Sequence, residues 1–150
     1  MKKIILFLII TLLCSGCYNY KELNDLGIVS SFGIDKKEDS YIIYAGIVNI
    51  LEAGKNSVTE SPIAVIEGNG KTIFEAARNL NLKVSKILFN SNIEYVLLSK
   101  EIIENNLDEV LDYLARDTHL PLNFLVLTST SNNLEDIISA LSQFDINSSR

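Results

Sequence analysis

Hydrophobic and polar residues follow two distinct periodicities along the chain, and the first of them predicts β-strands. Short runs rich in Ile, Val, Leu and Tyr are bounded by polar turns, which is typical of strands buried on at least one face. The polar stretch 35–40 predicts the turn of a hairpin, and the glycine-containing stretch 51–62 predicts a surface loop. The strands predicted in this way cover residues 26–34, 41–50, 63–68, 93–99 and 123–129.

Helical periodicity, with apolar residues three or four positions apart, predicts three helices. Thr72 with Glu75 forms a capping-box pattern at the start of the first helix, and Ser99 can cap the second. Asn132 with Glu135 is a similar pair that opens the third helix. The apolar faces predicted for these helices are Ile73, Ala76, Ala77, Leu80 and Val84; Ile103, Leu107, Val110, Leu111 and Leu114; and Leu134, Ile137, Ile138 and Leu141.

The order of these elements predicts the fold class. Three strands are followed by a helix, a strand, a helix, a strand and a final helix. A mixed β-sheet of about five strands covered by about three helices follows from this order, which makes the domain α+β or α/β. The sequence contains no internal repeat and no low-complexity tract.

The N-terminus has the pattern of a bacterial lipoprotein signal. Two lysines precede an almost wholly apolar run at 4–13, which is about half the length that a membrane-spanning helix needs. Two small residues then lead directly into Cys17. This ending predicts cleavage before Cys17 and attachment of a diacylglycerol to its thiol. We therefore expect a signal peptide at 1–16 and a mature, lipid-anchored chain at 17–150.

The spacing of the two cysteines allows other interpretations, which fit the surrounding sequence less well. A redox pair belongs inside a folded domain, whereas Cys14 would be removed with the signal. A structural zinc site needs four ligands, and the chain offers two cysteines and one histidine, His119. A plain secretory signal remains an alternative, because Cys14 stands where lipoprotein signals usually have Leu.

The charge of the chain excludes several classes of partner. The formal net charge of the 150 residues is −6, and removal of Lys2 and Lys3 with the signal changes it to −8. Nucleic-acid binding depends on basic residues, so we expect no nucleic-acid partner. We also expect no polybasic membrane patch, so that the lipid at Cys17 and contacts with other proteins would hold the domain at a membrane.

The stretch EGNGKT at 67–72 has part of a phosphate-binding motif. Gly70, Lys71 and Thr72 match its end, but Val65 occupies the position of its opening glycine. A glycine-containing turn from a strand into a capped helix explains the same residues. We therefore expect no nucleotide here.

Acidic residues on the helix predicted over 100–116 are the other candidate for chemistry. The residues Glu101, Glu104, Asp108 and Asp112 lie at spacings of three and four, opposite the apolar face. Such carboxylates can act as acids and bases, but a solvated helix face is the simpler interpretation. His119 lies in a predicted loop beside Pro121, and no nucleophile–base pair is evident. We expect no catalytic residue, metal ion or cofactor.

Three segments resemble the Ger(x)C family of spore germination lipoproteins. They are GCYNYKELNDLGIVSSFGIDK at 16–36, GNGKTIFEAARNL at 68–80 and LDYLARDTHLPLNFLVL at 111–127. The resemblance implies a non-enzymatic C subunit of a nutrient germinant receptor, acting beside integral membrane A and B subunits at the extracytoplasmic face of the spore inner membrane. It also implies Cys17 as the acylated residue. Family members carry further domains, so a chain that ends at Arg150 is expected to be a truncated form.

Two other functions compete with that of a receptor subunit, and the receptor function itself predicts one docking surface. A stand-alone, lipid-anchored solute-binding module would need a deep pocket with convergent polar groups. An extracytoplasmic hydrolase would need Glu104 and Asp108 in a cleft. For a receptor subunit, Tyr18 and Tyr20 lie just after the anchor, and tyrosines are common at interfaces and at headgroup depth. We therefore expect these two tyrosines to contact the membrane subunits.

Overall fold

The computed structural model describes residues 25–48, 63–121, 123–131 and 133–148. The predicted signal at 1–16 and the predicted site residues Cys17, Tyr18 and Tyr20 lie outside the described residues. The elements are β1 (Leu26–Lys37), β2 (Ser40–Val48), β3 (Ile63–Gly70), α1 (Ile73–Lys83), β4 (Ile87–Phe89), β5 (Tyr95–Ser99), α2 (Lys100–Asn105), α3 (Leu107–Arg116), β6 (Leu125–Ser129) and α4 (Leu134–Ser148). Within this part of the chain, no helix is both long and apolar enough to span a bilayer.

The strands form one mixed sheet in the order β3-β2-β1-β5-β6, and β4 also pairs with β1. The predicted hairpin is confirmed: β1 and β2 are antiparallel, with Ile34 opposite Ile43. Its turn requires a left-handed backbone at Glu38, whose φ is 53°. β3 continues the antiparallel pairing, whereas β4 and β5 run parallel to β1 and β6 runs parallel to β5. The α+β class predicted from the sequence is confirmed.

Helices cover the two faces of this sheet unequally. Alternate residues of each strand face opposite sides, so Ile43 lies in the larger core cluster and Tyr44 in the smaller one. The larger cluster is completed by α1, α2 and α3, through residues such as Leu80, Ile102 and Val110. The smaller cluster is completed by α4, through Leu134 and Ile138 packed with Tyr44 and Leu97. In the described part of the chain, three helices thus pack on one face of the sheet and one helix packs on the other.

The first helix is shorter than its apolar periodicity suggests, and a strand follows it. α1 ends at Lys83, and Val84 has the extended backbone of a strand, with φ −107° and ψ 131°. Val84 still packs against the larger core cluster, as its place in the predicted apolar face requires. The three residues of β4 then pair with β1 from Leu26 to Ile28. The strand was not predicted, because a three-residue apolar run carries no periodicity of its own.

The helix predicted over 100–116 is divided in two. Asn106 has φ −139° and ψ 19°, which is outside the helical range and separates α2 from α3. Each of the two helices has its own buried face: Ile102 is buried in α2 and Val110 and Tyr113 are buried in α3, whereas Leu111 is 44% exposed. The prediction of Leu111 as a core residue was therefore wrong, because the buried face of α3 includes Tyr113 in its place.

Candidate functional site

The turn between β3 and α1, where the sequence has GNGKT, is a helix cap. The backbone N–H of Glu75 donates to Thr72 Oγ1 at 3.2 Å, as the capping-box pattern predicts. The Glu75 carboxylate in turn accepts from the backbone N–H of Lys71 at 2.8 Å. Ser99 caps α2 in the same way, through the backbone N–H of Ile102 at 3.3 Å. The predicted cap Asn132 lies outside the described residues, and Asn133 Oδ1 accepts from the backbone N–H of Asp136 at 3.5 Å.

The glycines of this turn allow α1 to approach β3 closely. A Cβ at Gly68 would lie 2.4 Å from the backbone O of Ala76, and one at Gly70 would lie 2.5 Å from the backbone N of Ala76. Backbone contacts as short as these cannot be relieved by a rotamer change. The amides of Lys71 and Glu75, which a phosphate would need, are already bonded to side chains. The turn is thus explained as a structural junction.

An open groove of about 1010 Å³ lies between α1, β4 and the end of α3. Buried residues of the larger core cluster, including Phe32, Ile43 and Leu80, form part of its lining. Phe74 and Tyr113 also line it, with their rings edge to face at a centroid distance of 5.0 Å and an interplanar angle of 83°. Such an arrangement can shelter an apolar or aromatic group.

The polar groups of the groove are largely engaged within the chain. Arg116 Nε is 2.8 Å from Asp112 Oδ1, and His119 Nδ1 is 3.3 Å from Asp117 Oδ1. Burial, and secondarily the negative charge of Asp117, raise the pKa of Tyr113 to about 12, so its hydroxyl is neutral near pH 7. Asn90 Oδ1 is buried and accepts no hydrogen bond from the part of the chain that the structure describes.

The acidic residues of α2 and α3 do not form a site. Glu101, Glu104, Asp108 and Asp112 are all exposed, and none of them lines the groove. Lys100 pairs with Glu104 at 3.6 Å and Arg116 pairs with Asp112, both one helical turn apart on the surface. These residues are therefore the solvated face of an amphipathic pair of helices. The described residues contain no group of three or more His, Cys, Asp and Glu side chains that could hold a metal ion.

A polar cluster that the sequence gave no reason to suspect joins the hairpin to α3. The Tyr41 hydroxyl donates to the Glu109 carboxylate, and Lys36 Nζ lies 3.4 Å from the same hydroxyl and 4.7 Å from the centre of the Tyr41 ring. Burial, followed by the hydrogen bond and charge of Glu109, raises the pKa of Tyr41 to about 12. We interpret the cluster as structural, because its three side chains contact one another and link the hairpin to α3.

Comparison with known proteins identifies one family. The protein-family model described as "spore germination protein N-terminal domain" matches residues 19–150. Spore germination protein KC of Bacillus subtilis (strain 168) is 30% identical over 148 residues, covering 94% of this chain and 36% of that protein. Putative spore germination protein YfkR of the same organism is 29% identical over 133 residues, covering 85% of this chain and 35% of that protein.

The likeness extends to other proteins of the same organism. Spore germination protein A3 is 28% identical over 123 residues, covering 77% of this chain and 32% of that protein. The chain thus spans about a third of the length of the curated relatives it matches. No solved structure matches the chain.

Proposed function

Because the chain belongs to the family of spore germination protein N-terminal domains, we propose that it is part of a non-enzymatic, lipid-anchored subunit of a nutrient germinant receptor. The observation that carries the proposal is the family match over 19–150, together with relatives named as spore germination proteins. A binding role is also supported by the groove beside α1, β4 and α3, which is open and whose ionic side chains are paired within the chain.

The proposed attachment is a diacylglycerol at Cys17, after removal of residues 1–16. Support comes from the short apolar run and the two small residues before Cys17. Two acyl chains bury many methylene groups, at about 0.8 kcal/mol each, and anchor a protein stably where one chain does not. The protein would then act at the extracytoplasmic face of the spore inner membrane, beside the integral membrane A and B subunits.

Genetic complementation in the spore-forming source organism tests this function. We expect deletion of the gene to slow germination in response to at least one nutrient, and the full chain in its native context to restore the response. Cys17→Ala should fail to restore it and should take up no labelled fatty acid. Cys14→Ala is the matched control, because it changes a cysteine that the proposal places in the removed signal. Unchanged germination with every nutrient, or fatty acid in the Cys17→Ala protein, contradicts the proposal.

The groove favours a second function, that of a stand-alone solute-binding module. A small ligand with an apolar body and a hydrogen-bond donor would use the aromatic pair of Phe74 and Tyr113 together with Asn90 Oδ1, which has no hydrogen-bond partner among the described residues. Calorimetric titration of the purified chain with single nutrients separates the two functions. If the chain is part of a receptor subunit, we expect the purified chain alone to show no saturable binding of any single nutrient. Binding that Phe74→Ala and Asn90→Ala abolish would favour the solute-binding module.

A further inference from the structure

Three exposed apolar residues occupy the end of the sheet at which β1 begins. Ile87 and Phe89 of β4 are 48% and 44% exposed, and Leu125 of β6 is 67% exposed. We call these three residues the strand-end patch. Leu26 and Ile28 of β1 are half-buried beside it, because they pair in register with Ile87 and Phe89.

The members of the patch face the same side of the sheet. Leu88 packs against the larger core cluster, so strand alternation directs Ile87 and Phe89, its neighbours, to the opposite side, and at the edge of β4 both also border the groove. On β6, Leu127 packs against the smaller cluster, and Leu125 lies two positions earlier on the same side. The patch therefore belongs to the face on which α4 packs.

The helix on this face packs beyond the patch. Leu134 and Ile138 of α4 contact Tyr44 and Leu97, and α4 packs along β1, β2, β3 and β5. Leu97 pairs with Leu127, whereas Leu125 pairs with Tyr95, nearer the start of the strands. Among the described residues, α4 therefore leaves the side chains of the strand-end patch partly exposed.

The path of the chain indicates what lies against the patch. Leu26 is the first residue of β1 and pairs with Ile87, so the chain enters the sheet directly beside the patch. Cys17 precedes Leu26 by nine residues, which span at most about 30 Å when fully extended. A lipid at Cys17 would hold the patch within this distance of a bilayer. A short tether also gives an effective concentration of about millimolar, so that even a weak contact is populated.

Charged residues of both signs lie near this end of the molecule, where α1 ends and β4 begins. Lys83 is exposed and Lys86 directly precedes Ile87. Anionic headgroups attract such lysines, whereas the exposed carboxylates of Asp25 and Glu94 oppose this attraction. Apolar contact would therefore contribute more than charge.

We propose that the strand-end patch is the face that the domain lays on the bilayer, with Phe89, Ile87 and Leu125 at headgroup depth. Apolar and aromatic side chains at an interface typically enter the boundary between headgroups and acyl chains to a depth of about 5–10 Å. The inference rests on the proposed lipid anchor at Cys17 and adds the orientation of the domain to it.

Single-cysteine labelling of the full chain tests the orientation. In the mature lipoprotein Cys17 would be acylated, so an introduced cysteine is the one free thiol. Phe89→Cys and Leu125→Cys report on the patch. Leu111→Cys is the matched control, because Leu111 has the same exposed fraction as Phe89, 44%, but belongs to α3, which packs on the other face. Each purified lipoprotein carries an environment-sensitive fluorophore and is reconstituted into phosphatidylcholine vesicles containing phosphatidylglycerol and lipids with brominated acyl chains. Thermal melts confirm that each variant is folded.

We expect the brominated lipids to quench the label at positions 89 and 125 at least about twofold more than at position 111. Equal quenching at all three positions, or stronger quenching at 111, overturns the inference and would indicate a protein partner for the patch. Growing the same expression strains with labelled fatty acid distinguishes a failure of the proposed lipid anchor from a failure of the proposed orientation. A chain that takes up the label but shows equal quenching contradicts the orientation alone, whereas a chain that takes up none contradicts the anchor and the orientation together.

Discussion

The hydroxyl of Tyr41 donates a hydrogen bond to the carboxylate of Glu109, which lies 68 positions later in the chain. The bond links the start of β2 to α3, and Lys36 approaches the same hydroxyl from β1. Tyr41 is 2% exposed, so its hydroxyl has little access to water that could replace Glu109. The contact fixes the position of α3 relative to the hairpin, and α3 forms one wall of the groove.

Removal of this hydroxyl should destabilise the domain. We expect Tyr41→Phe to lower the free energy of unfolding by about 1 kcal/mol, the usual net value of a hydrogen bond in a folded protein. Glu109→Gln keeps an acceptor at the same place and serves as the control, with a smaller loss. Urea denaturation measures both variants. A Tyr41→Phe protein as stable as the wild type would show that the bond contributes nothing.

Stability should also fall at high pH because of two tyrosines. The pKa values of Tyr41 and Tyr113 in the folded protein are about 12, whereas the ordinary value is 10.0. Between these values the unfolded chain loses the phenolic protons that the folded protein retains, so the free energy of unfolding decreases as the pH rises. The stabilisation is complete below pH 10.0 and is lost as the pH approaches about 12.

Thermal melts across this pH range measure the effect. The wild type should lose stability more steeply than a Tyr41→Phe, Tyr113→Phe double variant, which has neither titrating group. An absorbance titration of the folded protein should show the same two tyrosines ionising later than exposed ones. Equal pH slopes for the wild type and the double variant would contradict the assigned pKa shifts.

The cap of α1 offers a test of the interpretation of GNGKT. Thr72→Ala removes the side-chain acceptor for the Glu75 amide and should cost about 1 kcal/mol of stability. Thr72→Ser keeps the hydroxyl and should be close to neutral. Neither change should affect nucleotide binding, since we expect none. Measurable affinity for ATP that Lys71→Ala abolishes would show that the turn is a phosphate site after all.

Structural features that depend on residues close together in the sequence were predicted, whereas features that depend on residues far apart were not. Thr72 and Glu75 are three positions apart, and their cap was predicted because all of its determinants are local. β4 was missed because it depends on pairing with Leu26–Ile28, about sixty positions earlier, a contact that no local pattern encodes. The contact between Tyr41 and Glu109 was missed for the same reason.

The groove and the strand-end patch could not be predicted from the sequence either. Phe74 follows directly on Ile73 at the start of α1, and its 61% exposure is determined by the packing of α1 against the sheet. Phe89 and Leu125 are apolar residues in strands, so a sequence pattern assigns them to a core. Their exposure becomes evident only once the extent of α4 across the sheet is known.

The tyrosines after Cys17 provide a prediction about receptor partners. We expect the Tyr18→Ala, Tyr20→Ala double variant to keep the wild-type melting temperature while recovering the membrane subunits less efficiently in a pull-down. The reason is that tyrosines near an anchor are suited to interfaces at headgroup depth. Lys21→Ala, next to them in the sequence, is the control and should leave recovery unchanged. A large loss of stability in the double variant would assign the two tyrosines to the core, and unchanged recovery would assign them to a linker.

The most direct test of the central claim is to isolate the full chain, carrying an affinity tag, from spore inner membranes and to identify its companions by mass spectrometry. A receptor subunit should co-purify with two integral membrane proteins in comparable amounts, and the Cys17→Ala protein should lose both. Recovery of the membrane-bound chain without any integral membrane protein would contradict the receptor account.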